Sequence, residues 1–145
     1  MSTVRELLRQ KGGDVFSVSP DASAFEALQL MAAHNTGALL VSTAEGIKGI
    51  ISERDCVRKL ELEGRSARET PVSAIMTGKV ISVQAAQSLE ECMSLMIEKN
   101  IRHLPVYEGS KLAGFISVRD VLKAMIELQK VMLSQLERYI TGGGR

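Results

Sequence analysis

Aromatic side chains are scarce in this chain. Phe, Tyr and Trp make up 3% of it, and Trp is absent. That nearly excludes the stacking platforms on which single-stranded nucleic acid is held. Charge of one sign is missing as well: 18 Lys and Arg stand against 17 Asp and Glu, for a formal net charge of +1. Neither nucleic acid nor an anionic membrane is attracted globally by such a balance. Cysteine is limited to Cys56 and Cys92. Neither lies in a C-x-x-C pair and no His stands at ligand spacing, so no metal site is expected. Both sit among apolar residues at helical spacing and read as small buried hydrophobes, in keeping with a reducing compartment. No run approaches the ~18 apolar residues of a membrane span. The N-terminus, Met1-Ser-Thr-Val-Arg-Glu-Leu-Leu-Arg9, has a charge every few residues and no apolar h-region, so it is no signal peptide. A cytoplasmic location is expected.

What is present is an ordinary globular balance, 45% hydrophobic and 24% charged over 145 residues. That suits one compact domain, or two small units sharing a core. A tandem repeat supports the second form. Shifting the chain by 65 positions superposes Val15 on Val80, Ser17 on Ser82, Val18 on Val83, Ser23 on Ser88 and Glu26 on Glu91. It continues through Leu30 and Leu95, Met31 and Met96, Asn35 and Asn100, Leu39 and Leu104, Val41 and Val106. It closes on Gly49 and Gly114, Ile51 and Ile116, Ser52 and Ser117, Arg54 and Arg119, Asp55 and Asp120, without a gap. Each unit is below the size that usually folds alone, so two should pack together about a pseudo-two-fold axis.

Each unit reads as strand, helix, strand, strand, helix, an α/β fold in which a small sheet is covered by helices. The first strands are Val15–Val18 and Val80–Val83. The helices that follow open on capping-box spacings, Ser23-x-x-Glu26 and Ser88-x-x-Glu91. Their apolar faces are Ala27, Leu30 and Met31, then Leu89, Cys92, Met93 and Met96. Asn35 and Asn100 suit helix ends, where Asn tolerates the left-handed conformation. The next strands are Ala38–Val41 and His103–Tyr107. After turns at Glu45-Gly46 and Glu108-Gly109 come Gly49–Ile51 and Gly114–Ile116, and the last helices open at Ser52 and Ser117.

The expected organisation is a first repeat over 8–62, a linker over 63–71, a second repeat over 72–127, and a helical extension with a frayed tail over 128–145. The stretch 63–71 is polar and rich in breakers. Val72–Met76 reads as a short helical turn leading into the second repeat. After Asp120 a helical pattern runs to Ile140, with Leu122, Met125, Met132, Leu136 and Tyr139 on one stripe and Ile126, Leu133 and Ile140 beside it. Gln129 is the one polar interruption. The stripe either packs on a partner chain, giving a homodimer or larger assembly, or folds back on its own repeat. Gly142, Gly143 and Gly144 should fray.

Ser-x-x-Asp at the last helix of each unit has a bland meaning, because the same spacing caps a helix. The arginine inside it is more informative. Arg54 and Arg119 fall in a first helical turn, where a cation is unfavourable by about 0.3–1 kcal/mol unless an anion sits close. Backbone N–H groups, a Ser hydroxyl and an Arg together make a phosphate cradle. The Asp can accept two hydrogen bonds from a ribose diol. The units differ upstream: Ile101-Arg102-His103 in the second stands where the first has Thr36-Gly37-Ala38. Arg102 and His103 offer charge. Gly37 and Ala38 offer room for backbone contact with a base. His103 by itself could equally be structural, and His34 reads as solvated.

Two copies of one element carry a family resemblance: Gly49-Ile-Ile-Ser-Glu-Arg-Asp55 and Gly114-Phe-Ile-Ser-Val-Arg-Asp120. Asn100-Ile-Arg-His-Leu-Pro-Val106 and Pro71-Val-Ser-Ala-Ile-Met-Thr77 add to them. Over about residues 8–127 the chain resembles a stand-alone pair of CBS domains, a Bateman module. The resemblance implies two clefts between the repeats that take an adenosine ligand: AMP, ADP, ATP or NAD, with S-adenosylmethionine as an alternative. The residues it carries over are Thr36, Gly37, Ala38, Ser52, Arg54, Asp55, Thr77 and Val80, with Ile101, Arg102, His103, Ser117, Arg119 and Asp120. It implies a non-catalytic regulator acting in signal transduction on an unidentified partner protein, commonly as a dimer. An assembly scaffold with empty clefts is the alternative. An enzyme is disfavoured by the lack of a nucleophile elbow, P-loop, metal cluster or acid/base pair.

Overall fold

The computed structural model describes residues 2–141, so the glycines at 142–144 expected to fray lie outside it. The chain divides into two compact units, Asp14–Ile81 and a second built from residues up to Gly13 together with Ser82 onward. In the first unit β1 (Ser17–Val18) leads to helix α2 (Ala24–His34), then to the hairpin β2 (Ala38–Thr43) and β3 (Gly46–Ser52). A short helix α3 (Glu53–Cys56) continues as a π-helical turn, Val57–Glu61, and α4 (Val72–Ile75) closes the unit. The second unit begins with α1 (Val4–Lys11) and resumes with β4 (Val83–Gln84), α5 (Leu89–Lys99), β5 (His103–Glu108), β6 (Lys111–Ser117) and α6 (Val118–Ile140).

Each unit holds a three-stranded sheet, β1-β2-β3 or β4-β5-β6, with the first pair parallel and the hairpin antiparallel. The repeat extends to defects: the hairpin register slips between Val41 and Ser42, and between Val106 and Tyr107. Asn35 and Asn100 end their helices at φ 51° and 53°, the left-handed conformation that the sequence expects of them. Matching side chains fill the two cores. Ala27, Met31, Leu39, Val41, Ile51 and Cys56 are buried in one, and Cys92, Met96, Leu104, Val106, Ile116 and Val121 in the other. Burial pushes the thiols of Cys56 and Cys92 up to about 11, so both stay protonated and act as the small hydrophobes expected.

One expectation is corrected. The first strands shrink to Ser17–Val18 and Val83–Gln84, because β2 and β5 lie alongside for only two residues. Val80 and Ile81 still belong to the other compact unit. The loop over 63–71 packs on the first unit: Ala24 N–H donates to Thr70 O (2.8 Å), Phe25 N–H donates to Ala67 O (3.1 Å), and the Arg68 guanidinium lies 3.8 Å above the Phe25 ring. The N-terminal segment packs into the second unit as well. Thr3 caps α1 by accepting from Glu6 N–H, while Val4 and Leu7 are buried.

α1 and α4 do the same job. Val4 N–H donates to Gln87 O (2.9 Å) and Arg5 N–H to Ala85 O (2.9 Å). Val72 N–H donates to Ala22 O (2.8 Å) and Ser73 N–H to Pro20 O (3.0 Å), the matching carbonyls of the other repeat. Thr3 bridges Ser88 as Pro71 bridges Ser23. Each unit is thus one repeat completed by the segment that precedes the other repeat in sequence.

Candidate functional site

In each unit the candidate residues gather where the last strand passes into its helix. In the first, Ala38 pairs with Ser52 across β2 and β3, and Glu53 N–H donates to Gly37 O (3.0 Å). The Thr36 hydroxyl donates to Ala38 O (3.2 Å). Thr36, Gly37 and Ala38 therefore lie beside Ser52, Arg54 and Asp55. Ser52 caps α3: its Oγ accepts Asp55 N–H (3.1 Å), while Asp55 Oδ2 accepts Ser52 N–H (3.0 Å) and the Ser52 hydroxyl (3.0 Å). Thr77 lies on the far edge of β3, exchanging backbone hydrogen bonds with Ile50 at 2.8 and 3.0 Å. Val80 is half-buried in the same unit and joins none of these hydrogen bonds.

The second unit repeats the frame. His103 pairs with Ser117, and Val118 N–H donates to Arg102 O (2.8 Å). Ile101 N–H closes the end of α5 on Met96 O (3.0 Å). Ser117 Oγ accepts Asp120 N–H (3.0 Å) and Asp120 Oδ2 accepts Ser117 N–H (2.8 Å). The His103 ring is half-buried and stacks on Phe115 at 5.5 Å between centroids, a packing role that stands beside any ligand role. His34, read from the sequence as merely solvated, is exposed but stacks on the Phe16 ring at 3.7 Å.

Both aspartates thus serve as caps, as the bland reading holds. They differ in their cations. Lys59 Nζ stands 3.4 Å from Asp55 Oδ1, one helical turn on. Asp120 is met by Lys11, whose Nζ donates to Asp120 Oδ2 (2.7 Å) and to Phe115 O (2.6 Å). Burial would raise the Asp120 pKa, but the hydrogen bonds from Lys11 and Ser117, with the Lys11 charge, outweigh it and hold the carboxyl below its ordinary value. Neither lysine was among the residues the sequence singles out. Lys59 is findable from its i,i+4 spacing to Asp55. Lys11 lies ahead of Val15, where the 65-residue superposition begins, and is invisible to a comparison of the repeats.

The two arginines behave differently from the aspartates. Arg54 is half-buried and Arg119 exposed, both in the first turn of a helix. Among the described residues neither makes an ion pair or a side-chain hydrogen bond. Arg102 is likewise exposed and without such a partner. No group of three His, Cys, Asp or Glu that could hold a metal occurs among the described residues, and no described helix is long and apolar enough to cross a membrane.

Comparison with known proteins agrees with this frame. The family model described as CBS domain matches twice, over residues 4–62 and 72–127. CBS domain-containing protein CBSX3, mitochondrial, of Arabidopsis thaliana is 34% identical over 98% of this chain and 73% of its own length. A CBS-domain protein from Burkholderia ambifaria is 43% identical, with a TM-score of 0.84 over 87% of this chain and 95% of that one. A hexameric CBS-CP12 protein from bloom-forming cyanobacteria, 26% identical, aligns over 84% of this chain and 70% of its own with a TM-score of 0.75. With two family matches laid over its two sheets, the chain is a member of the CBS-domain family, a tandem pair of the kind that serves as a regulatory module.

Proposed function

We propose that this protein is a non-catalytic sensor of adenine nucleotides, binding AMP, ADP, ATP or NAD at its strand–helix junctions and acting on a partner protein. One observation carries the reading: Arg54 and Arg119 stand in the first turns of α3 and α6 without a carboxylate partner among the described residues. A cation there opposes the helix dipole, and a phosphate removes the conflict. The neighbouring groups suit the remainder of a nucleotide. Each Asp presents a carboxylate to a ribose diol, and Gly37 brings no charge of its own to the first junction, where the Glu53 carboxylate oxygen would lie 3.2 Å from a Gly37 Cβ. The second junction adds Arg102, which favours ligands with more phosphate charge. Its Asp120 is already paired with Lys11, so a diol there must share or displace the ammonium.

Titration calorimetry of the full chain with AMP, ATP, NAD and S-adenosylmethionine tests this. Binding is expected for at least one of the first three. Arg54→Ala and Arg119→Ala should each weaken it by about tenfold or more, the value of a charge-assisted hydrogen bond. No heat with any ligand, or affinities unchanged in the double variant, would refute the reading and leave a scaffold.

A further inference from the structure

α6 carries two apolar seams. Val118, Val121, Met125 and Leu128 follow one another by three and four residues; Val121 is fully buried and the others half-buried, where α6 meets α1, α5 and β6 of its own unit. The second seam is Leu122, Ile126, Gln129, Leu133, Leu136 and Ile140, spaced by four and three throughout. It is exposed from end to end: Leu122 by 46%, Leu133 by 55% and Ile140 by 74%. Every residue from Gln129 to Thr141 is exposed, so among the described residues the second half of α6 buries no side chain.

We propose that this second seam forms a parallel, in-register two-stranded coiled coil with α6 of a second copy of the chain. Alternating spacings of four and three residues are the seam of a left-handed coiled coil, and five of the six positions are Leu or Ile. At 1.5 Å per residue the seam is about 28 Å long, nearly three heptads. A free helix of that length is marginal in water, but this one is nucleated on a folded unit.

Gln129 identifies the occupant as a second copy. It sits mid-seam, where an apolar partner would leave its amide buried and unpaired. An identical amide facing it can both donate and accept, so only the chain's own sequence in register satisfies it without loss. The flanks agree. Lys123, Lys130 and Glu137 border one side of the seam, and Met125, Met132 and Tyr139 the other. In a parallel pair one border faces the other, so the Lys130 stem lies over the partner's Met125 and Glu137 meets the partner's Met132, with no like charges opposed. An antiparallel pair would put Lys130 against the partner's Lys130 and Gln129 against the partner's Leu133. The arrangement stands or falls apart from nucleotide binding.

Gln129→Cys and Leu133→Glu in the full chain test it. Both positions are exposed, and the native cysteines are buried, so neither change disturbs the fold and wild type serves as the oxidation control. Mild oxidation of Gln129→Cys should give a disulfide-linked dimer on a non-reducing gel, which wild type does not. Leu133→Glu should lower the mass in light scattering at micromolar concentration at least twofold, with unchanged circular dichroism. A monomeric wild type, an unaltered mass for Leu133→Glu, or a Gln129→Cys chain that cross-links to Leu133→Cys but not to itself would overturn the proposal.

Discussion

Gly49 and Gly114 occupy matching places, opposite Val41 and Val106 beside the register slip of each hairpin. Their replacement by Ala should nevertheless have unequal effects. A Cβ on Gly49 would lie 2.7 Å from Thr77 O and 2.8 Å from Met76 Sδ; on Gly114 it would lie 2.6 Å from Leu8 Cδ2 and 3.1 Å from Leu8 Cδ1. All four fall short of the 3.4 Å at which ordinary contact begins. Leu8 offers only the end of a side chain, which another rotamer withdraws. Thr77 O is backbone, and it accepts Ile50 N–H at 3.0 Å. Overfilling a packed site costs about 1–3 kcal/mol, and Ala regains about 0.5–1 kcal/mol over Gly in a strand. Gly49→Ala should therefore cost about 2 kcal/mol or more, and Gly114→Ala about 1 kcal/mol or less. Urea unfolding followed by circular dichroism measures both, alone and over a truncated neighbour. In a Leu8→Ala background the Gly114→Ala cost should vanish. In a Met76→Ala background most of the Gly49→Ala cost should remain, because Thr77 O is still there. Equal costs at the two glycines, or a Gly114→Ala penalty that survives Leu8→Ala, would refute the reasoning.

Other outcomes follow from single contacts. Lys11→Met should cost on the order of 1 kcal/mol at pH 7, discounted because the Lys11 side chain is 37% exposed. The depressed Asp120 pKa means that this stability is present above the ordinary carboxylate pKa and is lost as pH falls through the folded value. Wild type and variant should thus converge in acid urea titrations; a gap that widens below pH 4 contradicts the pairing. Cys56 and Cys92, with thiols near 11, should resist a thiol reagent at pH 8 in the native protein and react fully in guanidinium. Arg102→Ala should lower ATP affinity more than AMP affinity; an unchanged ratio in calorimetry would show that Arg102 does not face the phosphates.

Much of this fold is legible in the sequence, for a physical reason. Side chains that fill equivalent positions around equivalent sheets keep the same size and polarity, so Met31 and Met96, Leu39 and Leu104, or Ile51 and Ile116 mark the cores directly. The caps are legible too, since Ser23, Ser52, Ser88 and Ser117 each accept from the backbone three residues on. What escapes is what the repeat does not encode. α1 and α4 share only a buried valine and an apolar pair, Leu7 and Leu8 against Ile75 and Met76, in a register that does not match that of the repeats. Strand length escapes as well, because Val15 and Val80 are apolar whether or not a neighbouring strand reaches them.

α1 and α4, the leader helices that complete the two units, also explain why two nearly identical junctions have different surroundings. Each junction is made from one repeat's own residues, Ser52 with Asp55 or Ser117 with Asp120, and the two share the same reciprocal pair of backbone-to-side-chain hydrogen bonds. Their cations do not match, because they come from different places. Lys59 is carried by the helix that Asp55 itself opens; its Nζ stands 3.4 Å from Asp55 Oδ1 and donates to Ile75 O (3.1 Å). Lys11 arrives on the leader α1 and is fixed twice, by Asp120 and by Phe115 O. Both lysines are thus anchored on a backbone carbonyl, but only Lys11 also hydrogen-bonds its carboxylate directly, at 2.7 Å against 3.4 Å, and the shorter contact is the harder one to displace. A ligand seeking Asp120 therefore competes with a built-in ammonium, and one seeking Asp55 competes with a weaker contact. Divergence of the leaders, which carry none of the repeat's motif, is enough to make one junction readier than the other without altering a residue of either Ser-x-Arg-Asp turn.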